Sequence, residues 1–415
     1  MSEHYRRSEL DGGLQVLSEW MPGLRSASLG IWVRAGSLSE APADMGISHL
    51  LEHMVFKGTR RRGAREIAIV LERVGGSLDA YTTREHTSFQ ARVLDEHVDL
   101  ALDVLGDLVL DPLLRDEDLE LEREVVLEEI ATVEDTPDDL VFDLHAARLW
   151  EGHPYGYSIL GTQQTVSGFR ATDLRRVHDA RYHPGNIVIA AAGNVEHDRL
   201  VEQIGALFSG CATAESPSAP PLPPAGPGRG GAERLGRSTA QTHLVWGIRT
   251  FGHRDPARYA LVLLSSAFGG GMSSRLFQRV REELGLAYTV YSYQSFYHDA
   301  GTVGVYVGTR PESADKAEAV VAEELARLAA RGLTPDELAD AKGQLKGQIA
   351  LSMESSSARL HRLAGVALYD EPYCSLEDVV ERVDGVRIED VAALAESYYD
   401  PARQTLLRLG PLTDP

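Results

Sequence analysis

The chain has 415 residues, 43% hydrophobic and 25% charged, and its 62 acidic side chains outnumber the 41 basic ones for a formal charge of −21. That length predicts two domains or more, the acidic balance argues against nucleic acid or anionic membranes as partners, and no apolar run approaches a membrane-spanning length. No apolar stretch follows the basic residues Arg6 and Arg7, so no secretory signal is read there, and Cys211 and Cys374 stand in no metal or redox motif; together these predict a cytoplasmic protein.

In chain order, Leu14–Leu17 and Ala27–Val33 read as strands. They lead to the stretch that carries chemistry, His49-Leu50-Leu51-Glu52-His53. On a helix, positions four apart share a face, so His49 and His53 stand one turn apart with Glu52 beside them, while Ile47, Leu50, Leu51 and Met54 cover the other side. Two imidazoles so placed can grip one zinc ion, and the glutamate between them can act as general base. A second helix runs from Ala64 to Val74, where Gly75-Gly76 stops it, and Ser77–Thr83 with Thr87–Val93 reads as a hairpin turning at Arg84-Glu85-His86. Helices are predicted over Glu96–Leu110, Asp116–Glu134 and Pro137–Leu149, then an apolar strand over Asn186–Ala191 and a helix over Asp198–Phe208.

Residues Thr213–Ala232 change composition abruptly to proline and glycine and predict a linker at mid-chain. Beyond it a strand (Thr242–Ile248), helices (Pro256–Phe268, Ser273–Leu284), strands (Tyr288–Ser295, Thr302–Gly308), helices (Glu312–Arg331, Pro335–Met353, Ser357–Tyr369, Ile388–Tyr399) and a strand (Gln404–Leu409) repeat the first half's order. The fold expected is α+β: two homologous α/β sandwich halves, each an antiparallel-rich sheet with helices packed on one side. The domains expected are 1–212, carrying the zinc site, and 233–415, joined by the linker 213–232.

A catalytic zinc needs a third protein ligand. In the helix Asp116–Glu134, Leu119, Val126 and Val133 fall at heptad spacing and define a buried stripe, and Glu122 and Glu129 fall inside it. Burying two carboxylates unpaired costs several kcal/mol, so a divalent cation or an arginine must compensate them. Glu124 and Glu128 fall off the stripe, toward solvent.

His49-Leu50-Leu51-Glu52-His53, followed by glutamates on a second helix, resembles the pitrilysin and insulysin metallopeptidases, the inverzincins. The chain length and Arg123-Glu124-Val125-Val126-Leu127-Glu128-Glu129-Ile130 are most similar to the processing-peptidase branch. The resemblance implies Glu129 as third ligand, 76 residues after His53, with Glu122 supporting the site from behind. It implies that Asp79, Ala80 and Tyr81 lie on a strand beside the zinc that binds substrate; many members have Asn where Asp79 stands. Glu85 either orients a ligand histidine or is an ordinary turn carboxylate. Gly269-Gly270-Gly271 resembles the family's glycine-rich loop; without the Lys-Ser/Thr of a phosphate loop it is not read as one. Arg281 and Tyr288, seven apart, resemble the pair that holds substrate and the scissile carbonyl, a cation and a phenol suited to a developing oxyanion.

The expected function is a zinc endopeptidase: His49, His53 and Glu129 hold one Zn²⁺ per chain, Glu52 moves the proton, and Arg281 and Tyr288 polarise the carbonyl. The resemblance implies a dimeric chamber that admits peptides or unfolded segments as an added strand. This chain carries both the zinc motif and the Arg/Tyr pair, so a homodimer is the expected assembly. The alternative is a non-catalytic or partner-dependent subunit of a processing-peptidase-like complex, although such subunits usually lose part of the motif.

Overall fold

The computed structural model describes residues 4–212 and 230–411. Its first portion runs β1 (His4–Leu10), β2 (Leu14–Trp20), β3 (Ser26–Val33), α1 (Ile47–Val55), α2 (Ala64–Val70), β4 (Ser77–Thr82), β5 (Thr87–Leu94), α3 (Val98–Leu110), α4 (Asp116–Glu134) and α5 (Pro137–Leu149). It continues with α6 (Gln163–Gly168), α7 (Ala171–Arg181), β6 (Ile187–Gly193) and α8 (His197–Leu207). The remainder comprises β7 (Gly231–Gly236), β8 (Thr242–Thr250), α9 (Arg258–Gly269), a π-helix (Phe277–Glu283), β9 (Ala287–Phe296) and β10 (Gly301–Thr309). Then come α10 (Ala314–Arg331), α11 (Pro335–Ser352), α12 (Ser356–Leu368), α13 (Leu376–Gly385), α14 (Ile388–Tyr398) and β11 (Thr405–Gly410). Residues 213–229 of the expected linker lie outside the described residues, and its last two residues already belong to β7.

The strands form two sheets, ordered β1-β2-β6-β3-β5-β4 and β7-β11-β8-β10-β9. With β1 set aside the two orders are the same, and each sheet has one parallel pair, β2 with β6 and β11 with β7, the rest antiparallel. This is the duplicated, antiparallel-rich α+β architecture expected, except that helices cover both faces of each sheet and not one side alone, because the apolar residues of the central strands point both ways.

Two compact units contain these sheets, and neither is a continuous stretch of chain. The first is drawn from Met1–Ala131, Tyr157–Pro220 and Leu351–Tyr373, the second from Thr132–Gly156, Pro221–Ala350 and Cys374–Pro415. The helix α12 of the later half therefore belongs with the first sheet, and α5 of the earlier half belongs with the second.

Strand periodicity explains why each sheet needs such a helix. In β3, Ala27, Leu29, Ile31 and Val33 face the core shared with α1 and α3, while Trp32 points the other way. There it joins Leu17, Val188 and Ala190 under Leu360, Leu363, Ala364 and Ala367 of α12. Each large apolar side chain so covered contributes about 1.5–3 kcal/mol. Polar contacts fix the helix: the Glu19 carboxylate, fully buried, pairs with Arg359, and Arg34 donates to the carbonyls of Ala367 (2.6 Å) and Leu368 (2.8 Å) at its C-terminal end.

In the second unit Leu244, Trp246 and Ile248 of β8 face α9 and α10, and Val245 with Tyr306, Leu407 and Leu409 faces Val141 of α5. His145 of α5 donates from Nε2 to the carbonyl of Thr405 at 3.0 Å. Its ring lies where a side chain on Gly247 would stand, so that glycine makes room for the helix.

Candidate metal centre

Helix α1 starts without a side-chain cap of its own. Gly46 precedes it at φ 92°, a left-handed conformation that favours glycine, and a Cβ there would also meet the backbone of Leu160 and Gly161. Glu40, reaching in from the preceding loop, supplies the missing acceptor: its carboxylate oxygens take the amides of Gly46 (2.8 Å) and Ser48 (2.9 Å). Burial pushes the Glu40 carboxyl up to about 7 against the pull of those two amides. Leu50, Leu51, Met54 and Val55 are fully buried and set the rotation of α1.

That rotation brings His49 and His53 together, ring centroids 4.7 Å apart. The α4 helix then presents Glu129, whose Oε2 lies 3.7 Å from His49 Nε2 and 3.6 Å from His53 Nε2. Among the described residues these three are the one group of His, Cys, Asp or Glu side chains whose ligand atoms all lie within 4.8 Å of one another. The separations are too long for hydrogen bonds. They suit a shared ion: bonds of about 2.0–2.2 Å at tetrahedral angles put ligand atoms roughly 3.4 Å apart.

The donor chemistry fits zinc as well. His53 Nδ1 donates to Glu122 Oε2 at 3.1 Å, which leaves Nε2 with its lone pair toward Glu129. Burial, with His53 nearby, pushes His49 down to about 4, so it is a neutral ligand at pH 7. Among the described residues its Nδ1 has no hydrogen-bond partner. Glu122, buried as the stripe on α4 predicts, is held on its other oxygen by Lys57. Glu129 lies at the stripe's margin, its side chain 41% exposed, so periodicity places it less deeply than Glu122. Glu124 and Glu128 are exposed.

Glu52 is buried beside the ligands, and one of its oxygens, Oε2, accepts from the Thr82 hydroxyl at 2.6 Å. Desolvation raises its pKa, against the opposing pull of Thr82 and His53, which makes the carboxylate a stronger proton acceptor. Thr82 is the last residue of β4, the edge strand of the first sheet. Register places Ala80 and Thr82 on the core side with Phe89 and Thr87, and Asp79 and Tyr81 on the opposite side with Gln90 and Ser88. Glu85 sits in the following turn, where its charge acts on Arg34.

The other sequence candidates lie in the second unit. Arg281 is on the π-helix, its guanidinium 4.7 Å from the Phe277 ring centroid and 4.4 Å from that of Tyr288. Tyr288 is 75% exposed. Gly269 and Gly270 end α9 where a Cβ would collide with the backbone of Ser292 and Ser266 respectively, while at Gly271 a Cβ would make only an ordinary contact with the Gln344 amide. Thr82, Lys57 and Glu40 were not singled out by sequence. Each acts across the fold on a residue 30 or more positions away, or on a helix end without a cap motif, and local spacing carries no sign of that.

Comparisons with known proteins show the family and the fold. Residues 15–163 match the insulinase family, peptidase family M16, and residues 168–345 match that family's inactive domain. The chain is 41% identical over 414 residues to a Streptomyces coelicolor protein named an uncharacterized zinc protease, covering 99% of this chain and 90% of the other. It is 37% identical over 396 residues to a Bacillus subtilis protein of the same description, covering 95% of each. The fold matches the crystal structure of a protease from Helicobacter pylori with a TM-score of 0.92 at 22% identity, covering 99% of this chain and all of that one. The chain belongs to the insulinase family of peptidases, family M16.

Proposed function

We propose that this chain is a zinc endopeptidase acting on peptides or unfolded segments. The observation that carries this reading is the convergence of His49, His53 and Glu129 within 4.8 Å, with Glu52 held beside them by Thr82. The relatives' description as zinc proteases supports it. Zinc bound by His49, His53 and Glu129, one ion per chain, would supply Lewis acidity for a water nucleophile and the scissile carbonyl.

The chain's own residues do the rest. Glu122, anchored by Lys57, fixes the His53 ring through Nδ1. Thr82 occupies Oε2 of Glu52 and leaves the other oxygen to take a proton from the attacking water and return it to the leaving amine. The outer edge of β4 can take an extended peptide as a further strand, which assigns Asp79, Ala80 and Tyr81 to substrate binding. Arg281 and Tyr288 are assigned to the developing oxyanion on their chemistry, and Gly269, Gly270 and Gly271 to substrate binding on the family resemblance. A homodimer enclosing a chamber and a cytoplasmic setting complete the proposal; none of the described helices is long and apolar enough to cross a membrane.

A peptide-library cleavage assay with and without chelator tests the reading. Chelator-sensitive cleavage is expected, and Glu52→Gln should retain zinc and lose peptidase activity. Inert wild-type protein, or cleavage that ignores the chelator, overturns it; an unchanged rate in the variant removes Glu52 from the mechanism.

A further inference from the structure

Helix α12 covers the central strands of the first sheet and stops short of its margin, where β5 and β4 lie. One side chain bridges the gap. His361 reaches out so that its ring stands 6.3 Å from the Tyr81 ring on β4, centroid to centroid, with only 16° between the planes. Trp32 meets His361 edge-on from beneath at 6.2 Å, and His86 meets Tyr81 at 6.0 Å and 69°.

The edge atoms of His361 are occupied. Its Nδ1 donates to the carbonyl of Ser357 at 2.7 Å, and Nε2, left with the lone pair, accepts from the Gln90 amide at 3.1 Å. Gln90 is fixed in turn by Ser88 at 3.1 Å. His86 is neutral at pH 7: burial, with Arg34 and His361 nearby, pushes it down to about 4. The margin therefore presents two held, near-parallel rings, with His361 exposed and Asp79 on the same side of β4, two register pairs from Tyr81.

We infer that Tyr81 and His361 form a shelf that selects the substrate residue pairing opposite Tyr81, favouring a planar side chain, an aromatic ring or a guanidinium. The inference rests on the proposed reading that a peptide adds to the edge of β4. In an added strand, alternate side chains share the face of the residue they pair with. The side chain opposite Tyr81 then projects away from Glu52 and toward the two ring faces. Thr82, next along the strand, points the other way and holds Glu52, so the shelf is one strand position from the reacting groups. Flat side chains gain on such surfaces by offset stacking or by cation–π attraction.

Binding to full-length Glu52→Gln protein, with turnover switched off, tests this apart from catalysis. Extended peptides with Ala, Phe, Arg or Glu scanned through each position are measured by fluorescence anisotropy. One position is expected at which Phe binds roughly three- to tenfold more tightly than Ala. His361→Ala should abolish that preference without weakening the Ala peptide, and His361→Phe should keep it. A gain by Arg at the same position, lost with His361→Ala, also supports the shelf. A gain by Arg lost only with Asp79→Asn overturns it, because charge and not the ring face would then be recognised. Equal affinities across the series, or no binding by any peptide, overturn it as well. Cleavage without a His361-dependent preference defeats the shelf alone, whereas the preference in a protein whose wild type cleaves nothing defeats the peptidase reading alone.

Discussion

Replacing Glu122 with glutamine isolates what holds the proposed zinc ligands in place. Glu122 is 6% exposed, with one oxygen accepting from His53 Nδ1 at 3.1 Å and the other paired with Lys57. Glutamine has nearly the same shape and turns a charged acceptor into a neutral one. A hydrogen bond to a charged group contributes about 1.5–3 kcal/mol and a neutral one about 0.5–1.5, so roughly 1–2 kcal/mol of ligand orientation is lost. That corresponds to about five- to thirtyfold in zinc affinity, in the range usual for groups that orient a metal-bound histidine. The fold should hardly notice. The Lys57 side chain is 34% exposed and can turn to water, so the metal-free protein should lose no more than about 1 kcal/mol. Competition against a chromophoric chelator gives the zinc Kd, and urea unfolding of the metal-free protein gives the stability. A Kd within twofold of wild type refutes the role given to Glu122; so does a weaker Kd matched by an equal loss of metal-free stability.

Thr82→Val removes the hydroxyl on Glu52 at nearly constant volume and should lower kcat roughly tenfold with zinc content unchanged, read by steady-state kinetics and metal analysis. Glu19→Ala leaves Arg359 without its buried partner and should cost about 3–5 kcal/mol in the urea unfolding of the first unit, with the zinc ligands untouched. The pH dependence of stability should carry the mark of His145, pushed down to about 4 by burial despite its bond to Thr405. Because its folded pKa lies below the unfolded value near 6.5, its contribution is complete above about pH 6.5 and lost as pH falls toward 4. The loss is on the order of 2–3 kcal/mol, and His145→Gln, a donor that does not titrate, should flatten the midpoint-versus-pH curve across that window.

The clustering of His49 with His53, and the burial of Glu122 beside them, were legible because each rests on a rule that a sequence expresses. His49 and His53 are one helical turn apart, and the burial of Glu122 follows from heptad spacing with Leu119 and Val126. The same spacing overstated the burial of Glu129, since the stripe on α4 drifts: Ile130 is buried where Val133 is only partly so. Strand β1, short helices α6, α7 and α13, and strand β7 were not read. The sequence His4–Leu10 is polar and mostly exposed, so it lacks the alternation that marks a half-buried strand, and Gly231–Gly236 follows directly on the proline-rich stretch. The helix expected over Ser273–Leu284 is wound as a π-helix across Phe277–Glu283, a difference in hydrogen bonding that residue pattern does not carry. Least legible was the destination of α5 and α12. α12 has an amphipathic pattern, whereas α5 buries only the narrow stripe Val141, His145 and Leu149, and in neither case does periodicity state against which sheet a face is buried.

The reciprocal placement of those two helices governs how the chain can be made. Among the described residues, the outer face of the first sheet, with Leu17, Trp32, Val188 and Ala190, is covered mainly by residues 356–368, with Tyr5, Tyr369 and Tyr373 packed beside them. During synthesis the first unit must wait for almost the entire chain before that apolar face is covered, and its strands meanwhile remain exposed to wrong partners. Cutting the gene at the proline-rich stretch would not yield two self-sufficient domains: each fragment would lack the helix that completes its sheet and carry one that belongs to the other. The proposed zinc site, with His49, His53 and Glu129 all before residue 130, thus depends for its scaffold on the last sixth of the sequence.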